Sequence, residues 1–215
     1  MTGERQSTDV GEARRGLLVD FGGVLTTNVF QSFRAFCVAE GLEENAYADL
    51  LRSSAETRAE LRRLETNQIG ADEFGRHLAP LLGVADADGM MARLFAGIGP
   101  EPAMIDAVRA ARGAGIRTGL ISNSVGTDIY DRAVLDDLFD AIVISGEVGL
   151  HKPQPEIFLL GAERVGLAPE ECVFVDDLRE NCAGAEAVGM TAVLHRGPER
   201  TRPELERLLG VRLSS

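Results

Sequence analysis

From Pro100 onward, short apolar runs alternate with stretches of about a dozen residues at helical spacing, and few folds tolerate that alternation. The expected series is helix 101–113, strand 116–121, helix 126–135, strand 141–145 and helix 155–165. Strand 172–175, helix 179–188, strand 191–194 and a charged helix 203–209 follow. Apolar strands joined through helices build a parallel sheet with right-handed crossovers. One more strand-like run, Gly16-Leu17-Leu18-Val19, lies well before the series. The expected fold is α/β, a doubly wound parallel sheet with an insertion after its first strand.

The insertion has a different character. Between Asn28 and about Gly97 no β alternation appears, while apolar residues recur at helical spacing. Phe30, Phe33, Phe36 and Cys37 form one stripe, and Leu50, Leu51, Leu61 and Leu64 a second. Phe74, Leu78, Leu81 and Leu82 form a third, and Met90, Met91, Leu94 and Phe95 a fourth. Breaks at Gly41, at Asn67 to Gly70 and at Gly83 to Asp88 separate them, which predicts a bundle of four helices. The expected organisation is a flexible tail over 1–14, an α/β core over 15–27 and 98–215, and a helical cap over 28–97. A cap above a strand-edge site excludes water and selects the substrate.

Chemistry-bearing residues sit where the apolar runs stop. Asp20 ends the first run and is followed by Phe21-Gly22-Gly23. Ser122-Asn123 ends the run beginning at Ile116, and Asp176-Asp177 the run beginning at Cys172. Lys152 stands just before Pro153 and Pro155, which open a helix. In a parallel sheet these ends meet at one edge, where open α/β sheets bind ligands. A carboxylate nucleophile, a hydroxyl, an ammonium and an acidic pair suit an aspartyl-phosphate mechanism with a hard divalent cation. Each residue also has a plainer role: a turn cap for Asp20, helix N-caps for Ser122 and the Asp pair, a solvated lysine for Lys152. Two adjacent carboxylates at a buried strand end repel unless a cation lies between them, which favours the site reading.

The ordered phrases DFGGVL, ISNS, KPQPEIF and VDDLREN resemble the four motifs of the haloacid dehalogenase superfamily, over roughly residues 16 to 195. The likeness is to its phosphatase branch with a helical cap. The resemblance implies a Rossmann-like core and a Mg²⁺-dependent phosphatase with Asp20 as nucleophile. It implies Ser122 and Lys152 on the phosphate, and Asp20, Gly22, Asp176 and Asp177 at the metal; Asn123 either joins the phosphate pocket or holds the turn of the second motif. Asp177 is the better direct ligand, Asp176 binding directly or through water, and Asn181 steadies that loop. The family places a second Asp where this chain has Gly22. The glycine carbonyl still serves a cation, but the side-chain acid is lost, and such acids contribute roughly 10²–10⁴-fold. Either the substrate has a good leaving group, such as an anomeric sugar phosphate, or an acid comes from elsewhere. A hydrolytic dehalogenase, a phosphomutase and a catalytically weak phosphate-binding module stay open as alternatives.

The formal net charge of −12 over 215 residues argues against nucleic acid and anionic membranes as partners. The expected partner is a small phosphorylated metabolite, bound by local positive charge from Lys152 and Mg²⁺. Cys37, Cys172 and Cys182 form no CxxC pair and read as reduced core thiols. With no membrane-length apolar run and no signal-peptide pattern, the expected location is cytoplasmic. His151 is a solvated loop residue or a substrate contact; His77 and His195 have no partner pattern. Asn28 reads as a turn residue, and Arg58, Arg62 and Asn67 cannot be told from a solvated helix face. The substrate and the oligomeric state are not encoded in any local pattern.

Overall fold

The computed structural model describes residues 13–126 and 130–213. The chain begins with β1 (Gly16–Val19) and then forms five helices: α1 (Val29–Ala39), α2 (Ala46–Ser53), α3 (Ala55–Glu65), α4 (Ala71–Leu82) and α5 (Met90–Phe95). It continues through α6 (Pro102–Gly113), β2 (Arg117–Ser122), α7 (Arg132–Leu138), β3 (Ala141–Ile144) and the short α8 (Ser145–Val148). Last come α9 (Pro155–Val165), β4 (Cys172–Asp176), α10 (Arg179–Ala187), β5 (Thr191–Leu194) and α11 (Pro198–Leu209).

The five strands are all parallel, in the order β3-β2-β1-β4-β5. Chain order runs outward from β1 to β3 on one side and then restarts on the other with β4. The strand order therefore reverses at β1, which is where such sheets form a crevice. Alternation along β1 fixes the two layers. Leu17 and Val19 face a core with Met104, Val108, Leu205 and Leu209 from α6 and α11. Leu18 faces the opposite core with Ile157, Phe158 and Ala185 from α9 and α10. Both faces of the sheet are dry, which explains why its strands read as continuous apolar runs.

Helices α1 to α5 enclose a separate apolar cluster of Phe36, Leu64, Phe74, Leu78, Met90 and Leu94. The chain leaves the sheet and returns to it side by side. Thr27 donates to Gly99 at 2.8 Å and Glu101 to Leu25 at 2.8 Å, around a bridge between Thr26 and Pro100.

Three expectations need correction. The leucine stripe from Leu50 to Leu64 is two helices, because Ser54 turns the chain and caps α3 by accepting from the Thr57 amide at 3.1 Å. The described insertion therefore has five helices where four were expected. The helix expected over 126–135 starts only at Arg132, with the Asp131 carboxylate accepting from the amides of Ala133 and Val134; residues 127–129 lie outside the described set. The last helix starts at Pro198, not 203: proline suits a first turn, and Pro203 forfeits one backbone bond inside it. Of the expected tail, residues 1–12 lie outside the described residues. Arg14 is fastened, its amide donating to Leu208 at 3.0 Å and its Nε to Thr191 Oγ1 at 3.1 Å. Cys37, Cys172 and Cys182 are buried free thiols. Among the described residues no helix is long and apolar enough to cross a membrane.

Candidate active site

Asp20 occupies the ladder position after β1, its amide donating to Val175 O at 2.9 Å. The side chain leaves the sheet at its carboxyl edge, between the ends of β2 and β4, and the residue is only 8% exposed. Its Oδ1 accepts from the Phe21 amide at 2.7 Å. The next two glycines are not equivalent. Gly23 has φ 73°, and a Cβ there would overlap the Asp177 carboxylate. At Gly22 the φ is ordinary and a Cβ would meet only Val29 Cγ1 at 3.6 Å. Room for a side chain exists at 22, and the chain places none there.

Lys152 ties the site together. Its Nζ donates to Asp176 Oδ2 at 2.7 Å, lies 2.7 Å from Asp20 Oδ1, and sits over the Phe174 ring at 5.5 Å from the centroid. Asn123, just past β2, clamps the lysine backbone: Oδ1 accepts from Lys152 N at 2.8 Å and Nδ2 donates to Lys152 O at 3.1 Å. The side chain of Asn123 is thus used to hold Lys152 in place. The following peptide to Pro153 is cis.

The two acids after β4 have different surroundings. Asp176 is fully buried and accepts from Lys152, from the Leu178 amide at 2.8 Å and from Asn181 Nδ2 at 3.0 and 3.1 Å. Those donors fill its lone-pair sites. Asp177 is half-buried and lines the cleft. Asp20, Asp176 and Asp177 each bring an oxygen into a group whose atoms lie within 4.8 Å of one another. An all-oxygen donor set of this kind fits a hard divalent cation such as Mg²⁺.

The charges of the cluster are unbalanced. Burial pushes the Asp20 carboxyl up to about 8; Lys152 lowers it and the charges of Asp176 and Asp177 raise it again. Burial and the neighbouring Asp176 raise Asp177 to about 6. Burial alone would depress Lys152, but Asp176 and Asp20 outweigh it and keep the ammonium charged. One ammonium does not neutralise three carboxylates, and a divalent cation among them would remove the excess.

Ser122 closes β2, and its Oγ pairs with the Tyr130 hydroxyl at 2.9 Å, both groups buried. The Tyr130 ring meets Phe21 edge-on at 4.9 Å, so one aromatic contact links the hydroxyl pair to the Asp20 turn. Burial raises the Tyr130 phenol to about 12, and it stays protonated at neutral pH.

Above these groups a cleft of roughly 1360 Å³ runs to the helical layer. Asp20, Gly22, Ser122, Asn123, Lys152 and Asp177 all line it, while Asp176 lies behind Lys152. The opposite wall is mainly apolar, with Phe30, Phe33, Leu51, Leu61 and Phe95, and it carries Glu65 at the end of α3. His151 lines the cleft with Nδ1 2.9 Å from Lys152 O. His77 instead stacks on Phe74 and His195 pairs with Thr201 Oγ1 at 2.9 Å. Asn28 caps α1 by accepting from the Phe30 amide, and Asn67 is a left-handed turn residue with φ 58°. Arg58 and Arg62 line the cleft. Sequence reasoning missed Glu65 and Tyr130. Neither has a local signal: Tyr130 fell inside an expected helix, and Glu65 reads as one more charged helix residue.

The haloacid dehalogenase-like hydrolase family model matches residues 15–189, and the chain belongs to that family. It is a hydrolase of the haloacid dehalogenase type. A glyceraldehyde 3-phosphate phosphatase of Methanopyrus kandleri is 33% identical over 108 residues, covering 48% of this chain and 46% of that one. The chain thus spans about half the length of that relative. Fructose-1-phosphate phosphatase YqaB of Escherichia coli is 29% identical over 189 residues, covering 85% of this chain and 96% of YqaB. The structure of a HAD-like family hydrolase from Porphyromonas gingivalis superposes with TM-score 0.71 at 25% identity, over 92% of this chain and 98% of that one.

Proposed function

We propose that this hydrolase cleaves phosphate monoesters of small metabolites, sugar phosphates among them, through a phosphoryl group held covalently on Asp20. The observation behind this reading is the buried ammonium of Lys152, 2.7 Å from the carboxylates of both Asp20 and Asp176 at the floor of the cleft. A strand-end hydroxyl and a third carboxylate complete the set. Similarity to two sugar- or triose-phosphate phosphatases supports the reaction class.

Asp20 and Asp177, with the Gly22 carbonyl, would hold Mg²⁺; Asp176 joins them directly or through water, since its oxygens already serve Lys152, Leu178 and Asn181. When bound, the ion supplies positive charge that screens carboxylate from phosphoryl oxygen. Asp20 Oδ1 is held by the Phe21 amide and Lys152, so attack on phosphorus is assigned to Oδ2. A bond forms from Oδ2 to phosphorus, and the bond to the ester oxygen breaks in line with it. Lys152 and Ser122 bind the phosphoryl oxygens as charge builds on them. Water then attacks the aspartyl phosphate, releasing phosphate and restoring the carboxylate. The apolar wall of Phe30, Phe33, Leu51, Leu61 and Phe95 suits a hydrocarbon or the C–H face of a ring on the alcohol side. A carbon-centred dehalogenation needs no cation, and the three-carboxylate cluster favours phosphoryl chemistry over it.

The test is phosphate release from a metabolite panel with Mg²⁺, with EDTA, and with Asp20→Asn. Release that requires both the metal and Asp20 is expected. Release that survives Asp20→Asn contradicts the scheme.

A further inference from the structure

We infer that Glu65 is the general acid that protonates the departing ester oxygen, the role for which Gly22 has no side chain. This inference rests on the phosphatase reading above and supplies the proton which that scheme leaves unassigned.

The placement of Glu65 is specific. It is the last residue of α3, and its backbone carbonyl accepts from Ser145 Oγ at the end of β3. The same Ser145 Oγ accepts from the Ser124 amide at 2.8 Å, so the tip of α3 is latched to the sheet edge. The Glu65 carboxylate lies 3.5 Å from Asn123 Nδ2, the residue that clamps the Lys152 backbone. In-line displacement puts the leaving oxygen on the side of phosphorus away from Asp20. That side faces the helical layer, and Glu65 lines the cleft there.

The surroundings suit proton transfer. Facing Glu65 are Arg62 on its own helix, Tyr47 on α2, Lys152 below and Glu180 on α10. Burial raises its carboxyl to about 7; Lys152 and Arg62 lower it, and Glu180 raises it again. A carboxylate at a helix C-terminus also opposes the helix dipole, which favours the neutral form further. Two further carboxylates that line the cleft, from the elements flanking the sheet, are worse placed. Asp131 is occupied as the N-cap of α7, and Glu180 is exposed to solvent.

The step balances. As the phosphorus–oxygen bond breaks, the Glu65 O–H bond breaks with it, and the proton goes to the ester oxygen to give a neutral alcohol. Water that attacks the Asp20 phosphoryl group leaves both its protons on the released phosphate, as H2PO4−, and the Glu65 carboxylate regains its proton from solvent once the alcohol has gone.

Glu65→Gln tests this with esters of unequal leaving groups. Alkyl and sugar phosphates need the proton, whereas 4-nitrophenyl phosphate leaves as a stable anion. Glu65→Gln is expected to lower kcat on the alkyl esters by roughly 10²–10⁴-fold and to slow the nitrophenyl ester by a far smaller factor. Wild-type turnover of alkyl esters is expected to fall as pH rises past about 7, because the acid loses its proton, and the variant lacks that fall. Equal losses on both ester types overturn the role of Glu65, as does no loss on the alkyl esters. A wild type that hydrolyses the nitrophenyl ester through Asp20 but no alkyl ester also overturns it. Asp20→Asn separates the two claims: if it leaves nitrophenyl phosphate turnover intact, the phosphatase reading itself falls.

Discussion

The sheet edge and the helical layer face each other across one cleft and are built on opposite rules. At the sheet edge, polar groups answer one another at hydrogen-bond distance: Lys152 with Asp20 and Asp176, Asp176 with Asn181, Ser122 with Tyr130. Across the cleft the helices present mainly aromatic and aliphatic surface, with Glu65 held among it. On the proposed reading the edge binds and transfers a phosphoryl group, and the helical wall receives what the phosphoryl group is attached to. Substitutions on the two sides should therefore fail differently, the edge in turnover for every substrate and the wall, Glu65 apart, in selectivity.

The largest effect is expected at the edge from Lys152→Met. It leaves Asp20, Asp176 and Asp177 without their ammonium. Breaking a buried charge network from one side costs about 3–5 kcal/mol of stability. Turnover should fall by at least ~10³-fold as the charge on the phosphoryl oxygens goes unanswered. Urea unfolding and phosphate release measure the two losses. Near-normal turnover would mean that the edge does not work as a unit.

Gly23→Ala ranks next. The added methyl group overlaps the Asp177 carboxylate and occupies a left-handed backbone position, which costs about 1–2 kcal/mol. Displacing that carboxylate by about an ångström should reduce turnover by ~10²-fold on all substrates. An alanine variant with full activity would remove Asp177 from the proposed metal site.

On the opposite wall, Phe33→Ala removes a ring packed at 5.0 Å against Tyr47 and 5.5 Å against Phe95. KM for esters with bulky apolar groups should rise about tenfold, while kcat for a minimal substrate such as acetyl phosphate stays put. A uniform fall in kcat would show that the wall supports the chemistry instead of choosing the substrate. The smallest effect is expected from Tyr130→Phe. It deletes one buried hydrogen bond to Ser122, worth about 0.5–1.5 kcal/mol, and should lower turnover only several-fold.

The same contrast governs what a reader of the sequence sees. The meeting of Asp20, Ser122 and Asp176-Asp177 at one sheet edge was legible because a parallel sheet converts position along a strand into position in space. Each needs only its own apolar run and turn to be placed, whereas Lys152 was marked only by the prolines that follow it. The strands over 141–145, 172–175 and 191–194 were found nearly residue for residue for the same reason. Ser54 is a harder case: apolar periodicity continues on either side of it, and only its capping bond reveals the break. Glu65 and Tyr130 were not legible. Their partners lie 58 and 8 residues away, across packing that no local spacing encodes. Asn123 was placed at the site, but its task of holding the Lys152 backbone is a tertiary fact.

The most direct measurement is mass spectrometry of protein quenched in acid during turnover with Mg²⁺ present. The account predicts a phosphoryl group on Asp20, absent with EDTA and absent from Asp20→Asn. Phosphate release by an enzyme whose Asp20 never carries that mass, with the label trapped fast enough to be seen on a control aspartyl-phosphate protein, would contradict it.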